Sequence, residues 1–182
     1  SSVKGKAIFV CSNRTIAYNF YRNVLALRPE WGEMLFAEEG IELTDRDKRE
    51  LKPMERIKLV MTRSKDDEKE LYNLLGTNEH RKELDRQFKN EKSNFKIAIV
   101  VDMWLTGFDA PCMSTIFIDR QPMGPHDLIQ AFSRTNRIFD KNKTYGQIVT
   151  FQAPKLFKES VDNAVKLYSA GSAGVAILAE WE

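Results

Sequence analysis

Five short apolar runs divide the chain, and the segments between them have helical or polar character. The run at residues 96–101, KIAIVV, is apolar at consecutive positions, which is typical of a strand covered on both faces. Similar runs lie at residues 6–11, 57–62, 115–118 and 146–151. Strands that alternate with helices favour an α/β fold with a mostly parallel sheet and helices on both faces. Ligands of such sheets bind beyond the carboxyl ends of the strands.

Helical periodicity is clearest after the first run. Ser12 predicts an N-cap, and apolar residues follow at positions 16, 20, 24 and 27 before Pro29 closes the helix. A short helix is expected at residues 44–51. One or two more are expected within residues 67–90, where Asn78 offers a second cap.

The composition narrows the class of protein. With 42% apolar and 30% charged residues, the 182-residue chain can bury a core and is typical of neither a disordered nor a membrane protein. Its two cysteines, Cys11 and Cys112, form no metal-binding pattern and suit a reducing, cytoplasmic setting. A net charge of +2 neither requires nor excludes a nucleic-acid partner.

A helix that carries two arginines is expected over residues 124–139. At helical spacing, Gln130, Arg134 and Arg137 lie within about 60° of one another. Two guanidinium groups on one face of an α/β domain favour a polyphosphate or nucleic-acid phosphate as ligand. The same arginines are explained equally well by salt bridges to neighbouring acids, Asp127 and Asp140.

An acid, a glycine and a second acid follow the run at residues 96–101. Asp102 is expected at the carboxyl edge of the sheet, and Gly107 suits a positive φ or a close backbone approach. Asp109 can then accept a hydrogen bond from a ribose hydroxyl, and Thr106 can bond to a phosphate oxygen. Each residue also has a plain structural explanation, because acids and glycines of this kind cap and form turns.

Asp119 ends another expected strand, which leaves a metal-dependent phosphohydrolase as a rival hypothesis. In that hypothesis Asp102 and Asp119 hold Mg²⁺, although no third acid stands in an obvious supporting position. Of the two histidines, His80 lies in a charged helical stretch and is expected to face solvent. His126 lies in the first turn of a helix, where it fits a local cap as well as a site residue.

Three segments together resemble a known set of motifs. KAIFVCSNRTIA, IAIVVDMWLTGFDAP and QAFSRTNR are similar, in order and spacing, to motifs IV, V and VI of the second RecA-like domain of superfamily 2 helicases and translocases. DMWLTGFDAP followed by LIQAFSRTNR resembles the motor-endonuclease (R) subunit of type I restriction enzymes. This resemblance implies a three-layer RecA-like domain of the P-loop NTPase type over residues 1–152. Residues 153–182 then begin a helical region that is expected to continue in a longer protein.

The resemblance assigns roles to the loop after residue 101. Asp102, Gly107 and Asp109 match the motif V pattern T-D-x-x-x-x-G-x-D. The match implies that Asp109 approaches the ribose of ATP and that Gly107 belongs to the ATP site. Asp102 and Thr106 are expected to couple the nucleotide to DNA. Val101 stands where motif V commonly has threonine, so Thr106 is the expected substitute for the DNA contact.

Motif VI supplies the expected catalytic groups. Gln130, Arg134 and Arg137 match Q-x-x-G-R-x-G-R, with Ser133 and Asn136 where many relatives have glycine. The resemblance implies that Gln130 binds ATP and that both arginines reach its γ-phosphate as arginine fingers.

Parts of a complete motor are missing from the chain. No G-x-x-x-x-G-K-[ST] motif and no acid pair of the motif II type occurs in its 182 residues. The resemblance therefore implies that ATP and Mg²⁺ are bound mainly by a first RecA-like domain outside this chain. Without that domain, this chain is expected to hold no metal or cofactor. The chain alone is expected neither to hydrolyse ATP nor to cut DNA.

The same resemblance implies the partners. Double-stranded DNA is expected to touch Thr62, Arg63 and Ser64 after the second strand. The other expected partners are the first RecA-like domain and the nuclease domain of the same subunit, and the modification and specificity subunits of the complex. The complex is expected in the cytoplasm of a bacterium or archaeon. No membrane partner is expected. Two alternatives stay open: another superfamily 2 motor, and a non-catalytic α/β binding module whose acids and arginines form only salt bridges.

Overall fold

The computed structural model describes residues 5–104, 107–120, 123–135, 146–151 and 154–169. Its elements are β1 (Lys6–Cys11), α1 (Arg14–Leu27), a 3₁₀ turn (Pro29–Gly32), α2 (Asp45–Glu50), β2 (Ile57–Val60), α3 (Lys69–Leu75), α4 (Asn78–Lys89), β3 (Ile97–Val100), β4 (Met113–Asp119), α5 (Pro125–Thr135), β5 (Gln147–Thr150) and α6 (Pro154–Ser169). Each predicted strand is present, with ends shifted by at most two residues. The predicted helical residues 136–139 and 170–182 lie outside the described residues.

The strands form one sheet in the order β2-β3-β1-β4-β5, and every neighbouring pair is parallel. The predicted α/β class is therefore confirmed. Val10 lies beside Val100 of β3, and Cys11 lies beside Asp119 of β4. Because the strands are parallel, their carboxyl ends share one edge, where ligands of α/β sheets bind.

Each face of the sheet carries its own helices. The first face, which bears Phe9 and Ile99, packs against α1 and α3. The second face, which bears Ile8 and Val100, packs against α4, α5 and α6. The helices on the second face contribute side chains that are at most 3% exposed: Leu84, Phe88, Leu128, Ala131, Val161 and Ala164. Thus α6 joins the core of the preceding elements, while the predicted domain boundary at residue 152 stays a prediction.

Two helices begin one residue away from the predicted cap. The N-cap of α1 is Asn13 rather than Ser12, and the Asn13 side chain accepts a hydrogen bond from the backbone N–H of Ile16 at 2.9 Å. The N-cap of α4 is Thr77 rather than Asn78. In both helices the capping residue has an extended backbone, and its side chain reaches an N–H of the first turn.

The apolar stripe that predicts α1 is only partly buried, since Phe20 and Val24 pack against the first-face core and the two ends of the stripe do not. The buried residues are Ala17, Tyr18 and Tyr21, whereas Ile16 is 39% exposed and Leu27 is 80% exposed. The helix itself is confirmed, since its bounds follow the predicted start and stop. The sheet therefore receives a face rich in tyrosine, and part of the aliphatic stripe stays open to solvent.

Lys6 is buried at the amino edge of the sheet, with 1% of its surface exposed. Its Nζ donates a 2.8 Å hydrogen bond to the carbonyl of Gln87 in the last turn of α4, and it lies 5.2 Å from the ring centre of Phe88. A cation is favourable at a helix carboxyl terminus. Burial nevertheless lowers the pKa of Lys6 from its ordinary value of 10.5 to about 7.

Lys6→Met is expected to remove a pH dependence of stability. Between pH 7 and 10.5 the unfolded chain keeps the Lys6 proton that the folded chain has lost. The wild type should therefore gain stability relative to the variant as the pH rises, by at most about 1.4 kcal/mol per pH unit. Urea unfolding of both proteins between pH 7 and 9 measures the difference. Lys82→Met, an exposed position on α4, is the control and should show no such trend.

Candidate functional site

Four neighbouring strands end at the carboxyl edge, and polar side chains follow each of them. Asn13 and Arg14 follow β1, and Thr62 to Ser64 follow β2. Asp102 follows β3, and Arg120 follows β4. The structure thus places Asn13 and Arg14 of motif IV, Asp102 of motif V and the residues after β2 along a single edge.

An ion pair joins the ends of β1 and β2. The guanidinium of Arg14 donates to both carboxylate oxygens of Asp67, at 2.6 and 3.0 Å on Oδ1 and 2.6 Å on Oδ2. Asp67 also accepts a 2.6 Å hydrogen bond from the backbone N–H of Ser64. Although burial alone would raise the pKa of Asp67, the bonds from Arg14 and Ser64 hold it below its ordinary value. The carboxylate therefore fixes the loop after β2 against the start of α1.

The three residues predicted to touch DNA differ in their exposure to solvent and in their hydrogen bonds within the chain. Thr62 is exposed. Arg63 is partly buried: its Nε donates to the backbone oxygen of Tyr72 at 2.8 Å, and its guanidinium lies 4.4 Å from the Tyr72 ring centre. The backbone N–H of Ser64 is occupied by Asp67. Among the three, Thr62 presents its side chain to solvent most openly.

Asp67→Ala is expected to destabilise the chain by about 1–3 kcal/mol, because it leaves Arg14 and the Ser64 N–H without their acceptor. The loss should be full above the ordinary pKa of 3.8 and should shrink as the pH falls through the lowered pKa of the folded state. Urea unfolding at pH 7 and pH 3 tests both statements. The control is Arg46→Ala, whose partner Glu50 lies on the same exposed helix, and it should change stability little at either pH.

A second ion pair spans the ends of β3 and β4. Arg120 donates to the Asp102 carboxylate at 2.5 Å and to the carbonyl of Val101 at 3.3 Å, reaching across the end of β1, which lies between those strands. The Arg120 guanidinium thus pairs with the Asp102 carboxylate, which the phosphohydrolase hypothesis assigns as a ligand of Mg²⁺. Within the described ranges, no three His, Cys, Asp or Glu side chains are grouped as metal ligands. The arrangement gives Asp102 a structural partner that spacing alone does not reveal.

Gly107 has a φ of +70°, as the sequence predicts. Nothing lies within 4 Å of the position that a Cβ would take, so the space beside its Cα is open. Asp109 is partly buried between Phe108 and Ala110, which are 5% and 2% exposed. Thr106 lies outside the described residues.

The same loop contains an aromatic anchor that sequence reasoning missed. Trp104 stacks on Phe108 with ring centres 4.1 Å apart and planes 2° from parallel. Its ring also lies 5.1 Å from Phe88 and 6.4 Å from Phe95. The φ of Trp104 is +67°, a conformation that side chains other than glycine rarely adopt. These contacts attach Trp104 and Phe108 to the second-face core. Their spacing of four residues is the one sign of this pair in the sequence.

Helix α5 begins with Pro125 at its first position, as predicted. Leu128 and Ala131 are buried on the second face of the sheet, while Gln130 turns away from them. The side-chain nitrogen of Gln130 lies 2.7 Å from Nε2 of His126. The Gln130 Oε1 is buried and has no hydrogen-bond partner in the structure as described.

The arginines of motif VI lie beyond what the structure describes in detail. Arg134 belongs to α5, but its side chain is not among the described groups, and Arg137 and Asp140 lie outside the described residues. Salt bridges of these arginines therefore stay a prediction, as does their role at a phosphate.

His80, which was expected to face solvent, is only partly exposed. Its ring packs against Gly76, whose φ is +63°, and a Cβ at Gly76 would lie 2.6 Å from the ring. Burial, together with the positive charge of Lys58, lowers the pKa of His80. His80 lines a cavity of about 690 Å³ beside Met54 and Glu83. None of the predicted site residues lines this cavity.

A model of the protein family described as type I restriction enzyme subunit R domain 3 matches residues 3–153. This chain belongs to that family of R subunit domains. The "Type I restriction enzyme HindI endonuclease subunit" of Haemophilus influenzae is 36% identical over 148 residues, which is 81% of this chain and 12% of the relative. A putative MjaIXP endonuclease subunit of Methanocaldococcus jannaschii is 41% identical over 97 residues, which is 53% of this chain and 9% of the relative. The chain thus spans about a tenth of the length of these curated relatives.

Solved structures support the fold. The C-terminal domain of Saccharomyces cerevisiae Dbp5, in a complex with Gle1 and IP6, aligns with a TM-score of 0.53 over 92% of this chain and 72% of that chain, at 14% identity. Dbp5 bound to RNA and ADP BeF3 aligns with a TM-score of 0.55 over 95% of this chain and 34% of that chain, also at 14% identity. The R subunit domain therefore has the fold of the C-terminal RecA-like domain of helicases. Of the helices described, none is long and apolar enough to cross a membrane.

Proposed function

We propose that this R subunit domain is the second half of an ATP-dependent motor that translocates double-stranded DNA. Its motifs would complete an ATP site whose other half lies in a first RecA-like domain of the same subunit. The observation that carries the proposal is the single carboxyl edge that holds the residues after β1, β2, β3 and β4. Nucleic-acid and nucleotide ligands of parallel α/β sheets bind at this edge.

The residues of the chain fit a nucleotide better than a metal ion. Gln130 has a buried oxygen without a partner in the described structure, and the space beside Gly107 is open to a ligand. Asp102, in contrast, is already neutralised by Arg120. In the proposed motor, Gly107, Asp109 and Gln130 bind and orient ATP.

The catalytic contribution of the chain would come from Arg134 and Arg137. Bound ATP and Mg²⁺ supply the phosphoryl group and the charge that offsets its negative oxygens. Guanidinium groups near the γ-phosphate stabilise the charge that builds up in the transition state. Because these groups would be held on one domain and the nucleotide mainly on another, closure of the two domains would control hydrolysis.

The DNA contact would involve the loop after β2, with the Thr62 hydroxyl and neighbouring groups on the phosphate backbone. Asp67 and Arg14 hold this loop against α1, so a shift of α1 would move it. Asp102 and Thr106 would couple the bound nucleotide to this DNA contact. Phosphate contacts carry no base sequence. Recognition of a DNA sequence would therefore come from a specificity subunit, methylation from a modification subunit, and cleavage from the nuclease domain.

A steady-state ATPase assay tests whether ATP hydrolysis requires parts of the R subunit outside this chain. The isolated chain, with Mg²⁺ and duplex DNA, is expected to show no turnover above a mock preparation, because it lacks a Walker A lysine. The complete R subunit, in its complex, should show DNA-dependent turnover. ATP turnover by the purified isolated chain would refute the proposal. An ATPase rate of the complete subunit that does not change when DNA is added would refute it too.

A further inference from the structure

An exposed apolar segment lies in the connection between α1 and β2. Residues 33–44 of this connection belong to no helix and no extended strand. Connections in compact domains commonly span about 2–6 residues, and much longer ones are usually binding loops or linkers. Within this one, the consecutive residues Met34, Leu35 and Phe36 are 58%, 43% and 46% exposed. Apolar side chains exposed side by side commonly mark interaction sites, whereas single ones are ordinary on protein surfaces.

Backbone hydrogen bonds fix this segment against the rest of the domain. The N–H of Leu35 donates to the carbonyl of Met54 at 3.1 Å, and the N–H of Met54 donates to the carbonyl of Leu35 at 2.9 Å. The N–H of Asn94 donates to the carbonyl of Phe36 at 3.1 Å. The segment is therefore held in a set conformation before any partner binds, which reduces the entropy that binding costs.

A cavity of about 690 Å³ adjoins the segment, between the start of β2 and helix α4. Its volume falls within the range of about 300–1,000 Å³ that is typical of ligand pockets. Its apolar lining consists of Met34, Pro53 and Met54. Because Met34 belongs to both features, the cavity and residues 34–36 form one surface. We call it the β2-edge surface, since β2 is the end strand of the sheet.

The charged lining of the cavity is mainly positive. Its cations outnumber its carboxylates by four to two: Lys52, Lys58, Lys82 and Arg86 against Glu79 and Glu83. Lys58 is buried and forms an ion pair with Glu55, which leaves three cations at the mouth. A single carboxylate oxygen of Glu83 serves two of them, at 3.2 Å from the Lys52 ammonium and 3.0 Å from the Arg86 guanidinium. Both of these cations stay largely exposed, so the mouth keeps an excess of accessible positive charge.

We infer that the β2-edge surface binds an acidic segment of a separate polypeptide. Large apolar side chains of that segment would enter the cavity over Met34 and Met54, and its carboxylates would meet Lys82 and Arg86. Opposite charges across an interface select the partner and suppress wrong ones. Nucleic acid fits less well, because a phosphate backbone would leave the apolar segment uncovered.

The composition of the surface favours a reversible partner. Permanent interfaces are larger and more apolar, whereas interfaces that form and dissociate combine an apolar centre with a charged, solvent-accessible rim. Methionine, aromatic residues and arginine are enriched in interfaces, and the β2-edge surface offers all three in Met34, Phe36 and Arg86.

The inference goes beyond the proposed motor function and does not depend on it. The residues of the β2-edge surface precede β2, lie at its start or belong to α4, whereas the predicted nucleotide and DNA contacts follow the ends of strands or lie on α5. Failure of the ATPase assay would therefore leave the inference standing.

Selection of peptides on the complete R subunit tests the inference. A display library of random short peptides is the probe. The enriched peptides should contain more aspartate and glutamate than lysine and arginine, together with at least one large apolar residue. If no peptide is enriched, the surface is covered within the subunit or binds nothing, and the inference is rejected. Enriched peptides without an acidic excess would reject it as well.

Lys82→Glu locates the bound peptide. An enriched peptide with a fluorescent label is titrated with each variant of the complete subunit, and anisotropy gives the Kd. The charge reversal should raise the Kd at least about tenfold, because it replaces an attraction with a like-charge contact. Lys82→Arg should keep the affinity. Lys48→Glu is the matched control, since this exposed lysine of α2 does not line the cavity, and it should leave the Kd nearly unchanged.

Two outcomes of this titration would overturn the inference. The same Kd for the wild type and Lys82→Glu would place the peptide elsewhere on the subunit. Equal increases for Lys82→Glu and Lys48→Glu would show that the peptide responds to net charge and not to the β2-edge surface.

The apolar part of the surface has its own test. Met34→Ser should weaken peptide binding by about tenfold or more, because the variant loses apolar area that the peptide covers. Leu27→Ser is the control, since Leu27 is 80% exposed and does not line the cavity, and it should have little effect. Equal effects of the two variants would contradict the inference. An excess of duplex DNA should leave the peptide bound; displacement by DNA would assign the peptide to a nucleic-acid contact and overturn the inference.

Discussion

Arg137→Ala in the complete R subunit is expected to lower kcat for DNA-dependent ATP hydrolysis by about 10³-fold or more. The affinity for ATP should change far less, because an arginine finger contributes most when negative charge builds up on the transferred phosphoryl group. This effect is the largest expected for any single residue of the chain. It follows from the match of QAFSRTNR to motif VI.

Rapid-quench single-turnover assays separate hydrolysis from nucleotide binding in this variant. Arg137→Lys should recover only part of the rate, because an ammonium retains the charge but lacks the planar fork that grips phosphate oxygens. Arg46→Ala on the exposed helix α2 is the control for loss of a surface arginine and should leave kcat unchanged. An unchanged kcat for Arg137→Ala would remove Arg137 from the catalytic role.

Local patterns were sufficient to predict the strands and their mostly parallel arrangement, but not their order in the sheet. The run at residues 96–101 is apolar at consecutive positions because β3 lies inside the sheet with helices on both faces. The alternation of strands and helices required long connections, which in turn produced parallel strands. Gly107 was predictable for a similar reason, since a glycine between two acids after a strand suits a turn with positive φ.

Contacts between distant segments were not predictable in this way. Arg120 pairs with Asp102 across the end of β1, and Arg14 pairs with Asp67, which lies 53 residues away in sequence. Both pairs exist because the strand order brings separate strand ends together at one edge. Their charges alone are indistinguishable from those of a solvated surface, so a sequence pattern contains no sign of the pairing.

Burial depended on tertiary packing even where the secondary structure was correct. His80 lies in the predicted helix, yet the turn at Gly76 brings the backbone against its ring. In α1, the tyrosines face the sheet and Leu27 faces solvent. The apolar stripe correctly indicated a helix, but which face a helix buries depends on the surfaces available to it.

Trp104→Ala is expected to destabilise the isolated chain by about 3–5 kcal/mol. The residue is 9% exposed and stacks on Phe108, and its ring lies against Phe88, so truncation leaves a cavity in the second-face core. The loss should loosen the loop that carries Gly107 and Asp109. Urea unfolding of the isolated chain measures the change.

Trp104→Gly provides the sharper comparison, because the φ of Trp104 is +67°. Glycine adopts this conformation without the strain of about 1–2 kcal/mol that a Cβ introduces. Alanine is ordinarily the more stabilising of the two by about 0.5–1 kcal/mol within regular structure. At position 104 we therefore expect the order to reverse, with the glycine variant at least as stable as the alanine variant.

Trp31 is the matched control for this reversal. It is partly buried, lies in the 3₁₀ turn over Pro29–Gly32 and has no positive φ. Trp31→Gly should therefore be less stable than Trp31→Ala. If glycine were less stable than alanine by the same margin at both positions, the left-handed conformation at position 104 would not be a property of the folded loop. If the order reverses only at position 104, the folded loop holds this residue in a left-handed conformation that glycine adopts with less strain than alanine.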